Sequence, residues 1–103
     1  MFHTKGLVKE RAVRVIVDGG SYNNLASMEM VEKLSLTTRP YPHTYYIQWI
    51  NNSSKVKVTR TVCVHFSIST YADYVDCDVV PMQACSLLLG RPWQFDKKFF
   101  TPW

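Results

Sequence analysis

Between Tyr45 and Val80, in segments separated by polar breaks, an apolar residue recurs at every second position, and that period decides most of what the chain can fold into. Tyr45, Ile47 and Trp49 alternate with Tyr46 and Gln48, and Val56 and Val58 with Lys55, Lys57 and Thr59. Val62, Val64, Phe66 and Ile68 continue against Cys63, His65 and Ser67. A period of two sets successive side chains on opposite faces of a strand, whereas a helix needs about 3.6. The polar run Asn51-Asn52-Ser53-Ser54 separates the first two segments, which predicts a β-hairpin with an exposed tip. Ser69 to Asp73 reads as another turn. Tyr74 to Val80 then reads as a strand with Val75, Cys77 and Val79 inward. The pattern is that of an all-β chain.

Outside this region the signals are shorter. The first dozen residues read as an edge strand or hairpin arm. Val13 to Val17 is nearly continuous in β-branched residues, as a buried strand is. It runs into Asp18-Gly19-Gly20, where the glycines are expected to supply turn angles that other residues resist. Ser27 is a fitting N-cap for one short helix, with Glu29 in the first turn and Met30, Val31 and Leu34 on one face. Thr37, Thr38, Pro40 and Pro42 are expected to close that helix. Leu87-Leu88-Leu89 reads as a buried strand stopped by Gly90, and Arg91-Pro92-Trp93 as a second helical turn.

With 103 residues the chain suffices for one core, so a single domain over residues 1–103 is expected. At 47% apolar, with three Trp, six Tyr and five Phe, disorder is not expected. No run approaches the roughly 20 apolar residues that span a bilayer. The N-terminus lacks the pattern of a secretory signal. A cytosolic or nuclear setting without a membrane partner is therefore expected. Twelve Lys and Arg against eight Asp and Glu leave a net charge of +4, thinly spread and without a basic aromatic stripe. Specific nucleic-acid binding is not expected. Cys63, Cys77 and Cys85 include no close pair, so they read as three buried thiols. His3, His43 and His65 are scattered, and Asp76 and Asp78 read as one solvated strand face. No metal and no cofactor are expected.

Asp18 carries the chemistry that remains. It follows an apolar strand and precedes two glycines, which holds a carboxylate at the edge of a core. One aspartate hydrolyses a peptide bond poorly. Two that share a proton can activate water and protonate the carbonyl oxygen together. A short chain with one such loop supplies the second carboxylate only by two-fold pairing.

The ordered set of segments resembles the retropepsin-type aspartic protease domain in Gag-Pol polyproteins of plant gypsy-class LTR retrotransposons. Val15-Ile16-Val17-Asp18-Gly19-Gly20-Ser21 is similar to that family's active-site loop, and Asn24 through Leu36 to the segment after it. Cys77-Asp78-Val79-Val80-Pro81-Met82 and Leu87 through Asp96 are similar to later segments of the same group. The resemblance implies a retropepsin-like closed β-barrel, the half-unit of an acid protease, with one or two short helices. It implies that Asp18 is the catalytic carboxylate, with Gly19, Gly20 and Ser21 completing the loop. Trp49, Ile50, Asn51, Asn52, Ser53 and Ser54 would form the flap, and Leu88, Leu89 and Gly90 would support the loop from behind. It further implies a polypeptide substrate and a homodimer. Gly19 stands where the family has Thr or Ser, whose hydroxyl braces the paired loops, and Ser21 carries the nearest alternative hydroxyl. The family's C-terminal dimer strand is also expected to be missing. A second reading is therefore a catalytically inactive module that binds peptides or associates with itself.

Overall fold

A computed structural model of the chain describes residues 1–48, 55–91 and 93. Its strands are β1 (Phe2–Val8), β2 (Arg11–Val17), β3 (Leu25–Ser27), β4 (Thr38–Gln48), β5 (Lys55–Ile68), β6 (Tyr71–Val80) and β7 (Leu87–Leu89). One helix, α1 (Met28–Lys33), follows β3. β1 and β2 form an antiparallel hairpin from Phe2↔Val17 to Val8↔Arg11. Lys9 and Glu10 turn it with positive φ of 51° and 64°, the left-handed pair that matches the twist of the flanking strands.

The seven strands lie in the order β1-β2-β7-β3-β6-β5-β4, and Leu7↔Ser67 joins β1 back to β5. The sheet is thus a ring closed by one pairing, with β4 outside it, which is not a strict barrel but agrees with the all-β half-unit expected. Where β1 meets β5 the backbones nearly touch. A Cβ on Gly6 would stand 2.7 Å from the Ser67 carbonyl oxygen and 3.2 Å from Val15 Cγ2. Gly6→Ala is therefore expected to cost about 1–3 kcal/mol in urea denaturation.

β2 explains why its sequence does not alternate. Val15 and Val17 face the main core with Val64, Phe66, Leu87 and Leu89, while Ile16 faces a second cluster with Leu25, Val58 and Val80. Val15–Val17 are covered on both faces and so are apolar without alternation, whereas Arg14 before them is exposed. α1 begins as the sequence indicates: buried Ser27 caps it, Oγ accepting the Met30 N–H at 3.0 Å. Met30 and Val31 are buried, and Leu34 packs against the core.

Three expectations need correction. The strand expected from Tyr45 starts earlier: β4 begins at Thr38, runs through Pro40 and Pro42, and shifts register between Pro40 and Tyr45. An outermost strand tolerates proline because its outward N–H needs no partner, and the bulge takes up the mismatch. The turn after β5 is only Ser69-Thr70, with Ser69 at φ 55°, so Tyr71–Asp73 already belong to β6. Cys63 is exposed rather than buried; with Val62 and Val64 inward, strand alternation sends it outward. The expectations for the flap at Trp49–Ser54 and for the missing terminal strand fall outside the described residues.

Candidate active site

β2 delivers Asp18 to the end of a doubly buried strand. Val15↔Leu87 and Val17↔Leu89 pair β2 in parallel with β7, and the Asp18 N–H continues that ladder to the Leu89 carbonyl at 2.9 Å. The chain then turns. The Ser21 N–H returns to the Asp18 carbonyl at 3.1 Å, and the Gly20 N–H donates to Asp18 Oδ1 at 2.9 Å. Asp18 is half-buried, and Gly19 and Gly20 are exposed. Among the described residues no other group donates to its carboxylate.

The glycines serve a different purpose from the one expected. Neither has a positive φ, so left-handed angles are not what the turn requires. A Cβ on Gly20 would lie 3.3 Å from Asp18 Oδ1, tighter than ordinary contact. Glycine lets the backbone approach the carboxylate and point an N–H at it.

β7 and the residues after it hold the turn from behind. Leu89 is buried and supplies the carbonyl for Asp18; Leu88 lies between Ile16 and Leu25. The Gly90 N–H donates to Asn24 Oδ1 at 2.8 Å. The Arg91 N–H donates to the Ser21 carbonyl at 2.8 Å. Arg91 Nε reaches the Gly19 carbonyl at 3.3 Å, and its guanidinium lies 4.8 Å above the Tyr22 ring centroid. Gly90 has no room for a side chain: a Cβ would stand 2.4 Å from the Asn23 carbonyl oxygen and 2.9 Å from that of Ser21. The Ser21 hydroxyl is spent within its own turn, donating to the Asn23 carbonyl at 2.8 Å and accepting the Asn23 N–H at 3.4 Å.

Asn23 opens a cluster that sequence reasoning missed. Its side-chain Nδ2 donates to the Tyr45 hydroxyl at 2.6 Å and to Asp78 Oδ2 at 3.2 Å. The Tyr45 hydroxyl donates to that same Asp78 oxygen. Asp78 is therefore half-buried and engaged, not part of a solvated face; only Asp76 is exposed, 3.8 Å from Arg39. An open groove of about 440 Å³ runs beside the cluster, lined in part by Tyr22, Asn23, Asn24, Arg39, Asp76 and Asp78. Asp18 stands outside that lining. Nothing in the spacing of Asn23, Tyr45 and Asp78 signals their meeting.

Other chemistries find little to work with. Burial pushes the Cys77 and Cys85 thiols up, and burial followed by Asp76 does the same for Cys63, which disfavours nucleophilic thiolates. His65 packs on the Tyr74 ring, centroids 5.5 Å apart. Among the described residues no group of three or more His, Cys, Asp or Glu is placed to hold a metal ion. No helix among them is long and apolar enough to cross a membrane.

A family model described as the PEG10/RTL1 protease domain matches residues 14–98. No curated protein matches the sequence. Among solved structures, EIAV protease complexed with the inhibitor HBY-793 superposes with a TM-score of 0.72 at 16% identity, over 99% of this chain and 92% of that one. The retroviral protease-like domain of Ddi1 from Leishmania major gives 0.70 at 12% identity, over 95% and 78%. A retropepsin-like aspartic protease from Rickettsia conorii gives 0.61 at 18% identity, over 97% and 79%. At these identities the likeness is one of fold, and the fold is retropepsin-like.

Proposed function

The chain belongs to the PEG10/RTL1 protease domain family, and from that premise we propose that it acts as an aspartic endopeptidase when two copies pair. Asp18 of each copy would contribute one carboxylate to a dyad that hydrolyses peptide bonds. One observation carries this reading: a half-buried carboxylate at the end of a strand buried on both faces, with Oδ1 held by the Gly20 N–H at 2.9 Å. A carboxylate held on a rigid strand end can meet a symmetry mate in a repeatable geometry.

The chemistry follows from two such groups in proximity. Two close carboxylates cannot both ionise, so the pair shares a proton. The ionised member takes a proton from the attacking water while the neutral member protonates the carbonyl oxygen of the scissile bond. The tetrahedral adduct then collapses, the C–N bond breaks, and the leaving amine takes up a proton. The finer part of the proposal is a source in the Gag-Pol polyprotein of a plant gypsy-class retrotransposon, with that polyprotein as substrate in the cytosol or nucleus. The segments 77–82 and 87–96 support it.

The test is cleavage of unstructured peptides at acidic pH, with a pepstatin-type inhibitor and with the oligomeric state measured in the same buffer. Inhibitor-sensitive cleavage that rises with dimer concentration is the expected result. A stable monomer, or cleavage indifferent to the inhibitor, overturns the proposal.

A further inference from the structure

The closed triangle of Asn23, Tyr45 and Asp78 joins three separate parts of the fold. Asn23 lies just beyond the Asp18 turn, Tyr45 is fixed in β4 opposite Val58, and Asp78 in β6 pairs with Leu25 and Thr61. We propose that Tyr45 is a positioning residue for the Asp18 turn, its hydroxyl tying Ser21–Asn24 to β4 and β6. The inference rests on reading Asp18 as the reacting carboxylate.

The hydrogen-bond arithmetic of the triangle is complete. The Asn23 amide gives one N–H to Tyr45 and one to Asp78; the Tyr45 hydroxyl accepts the first and donates its own hydrogen to Asp78; Asp78 Oδ2 accepts both. All three residues are half-buried, where such bonds strengthen one another. Burial, then the bond to Asp78, raises the Tyr45 hydroxyl above its ordinary range, so it stays protonated and remains a donor. From Asn23 the constraint passes to the Ser21 hydroxyl, and from the Ser21 N–H to the Asp18 carbonyl. Displacements of about 1 Å at a reacting group can cost about 100-fold in rate, so a tether at Asn23, just beyond the turn, bears on the chemistry.

Three variants separate positioning from general stability. Tyr45→Phe removes only the hydroxyl and keeps the ring against Tyr41, centroids 5.6 Å apart. Asp78→Asn keeps an oxygen to accept the Tyr45 hydrogen, and Asp78→Ala keeps none. Residue-resolved amide exchange on the full chain is the first measurement. Tyr45→Phe and Asp78→Ala are expected to speed exchange about tenfold at Ser21, Asn23, Gly90 and Arg91, the size of one lost bond. The amides of α1 and of the β1–β2 ladder should not change, and Asp78→Asn should restore most of the protection. In peptide kinetics kcat should fall about tenfold with KM within about twofold, the mark of a misplaced reacting group. Acceleration spread evenly over the fold, no acceleration, or Asp78→Asn as harmful as Asp78→Ala overturns the tether. Local acceleration in a chain whose wild type cleaves nothing upholds the tether and contradicts the protease reading alone.

Discussion

Gly90→Ala is expected to destabilise the chain by about 3 kcal/mol or more, at the upper end of what overpacking costs, read as a lower urea midpoint with unchanged slope. The added methyl meets backbone and not side chain: the Asn23 carbonyl oxygen at 2.4 Å and the Ser21 oxygen at 2.9 Å. Neither can rotate away. Ser21 is held by Arg91 and Asp18, and Asn23 by Ser21 on one side and by Tyr45 and Asp78 on the other. Relief must come from parting β7 from the active-site turn, which breaks the Gly90 N–H bond to Asn24 and the Asp18 N–H bond to Leu89. The same change should therefore abolish cleavage even in conditions where the variant still folds.

Asp18→Asn should do the opposite: leave the fold and remove the chemistry. Asparagine has the same shape, and its carbonyl oxygen can still accept the Gly20 N–H that now reaches Oδ1 at 2.9 Å. The core contacts of Val15, Ile16 and Val17 are untouched, so stability should change by no more than about 0.5 kcal/mol, as at sites without a packing or network role. An amide neither shares nor transfers a proton at working pH. Peptide cleavage should fall by about 10²–10⁴-fold, the contribution of a positioned acid–base group, with the melting profile retained.

Much of this fold is legible in the sequence because the physics is local. Strand alternation placed Val62, Val64, Val75, Cys77 and Val79 inward, and the nearly continuous β-branched run at Val13–Val17 marked a buried strand. Ser27 announced α1 through the chemistry of its side chain. Less legible was what depends on neighbours distant in sequence. Pro40 and Pro42 look like breakers until β4 is known to lie outermost. Gly90 looks like the end of an apolar run, and only the carbonyls of Ser21 and Asn23 explain it. Asp78 reads as one more charge on an outward face, because its partners lie 33 and 55 residues away. At the candidate site, Asp18 stands out from its strand-and-glycine context. The groups that hold its turn (Arg91, Asn23, Asn24 and Tyr45) carry no comparable local mark.

The most direct measurement of the central claim mixes wild-type chain with Asp18→Asn in varying ratio, after subunit exchange, at constant total concentration. If each working dyad needs Asp18 from both copies, cleavage falls as the square of the wild-type fraction, to about a quarter in an equal mixture of randomly pairing subunits. A linear fall, to about half in that mixture, would mean that each Asp18 works independently of its partner and would contradict the shared dyad.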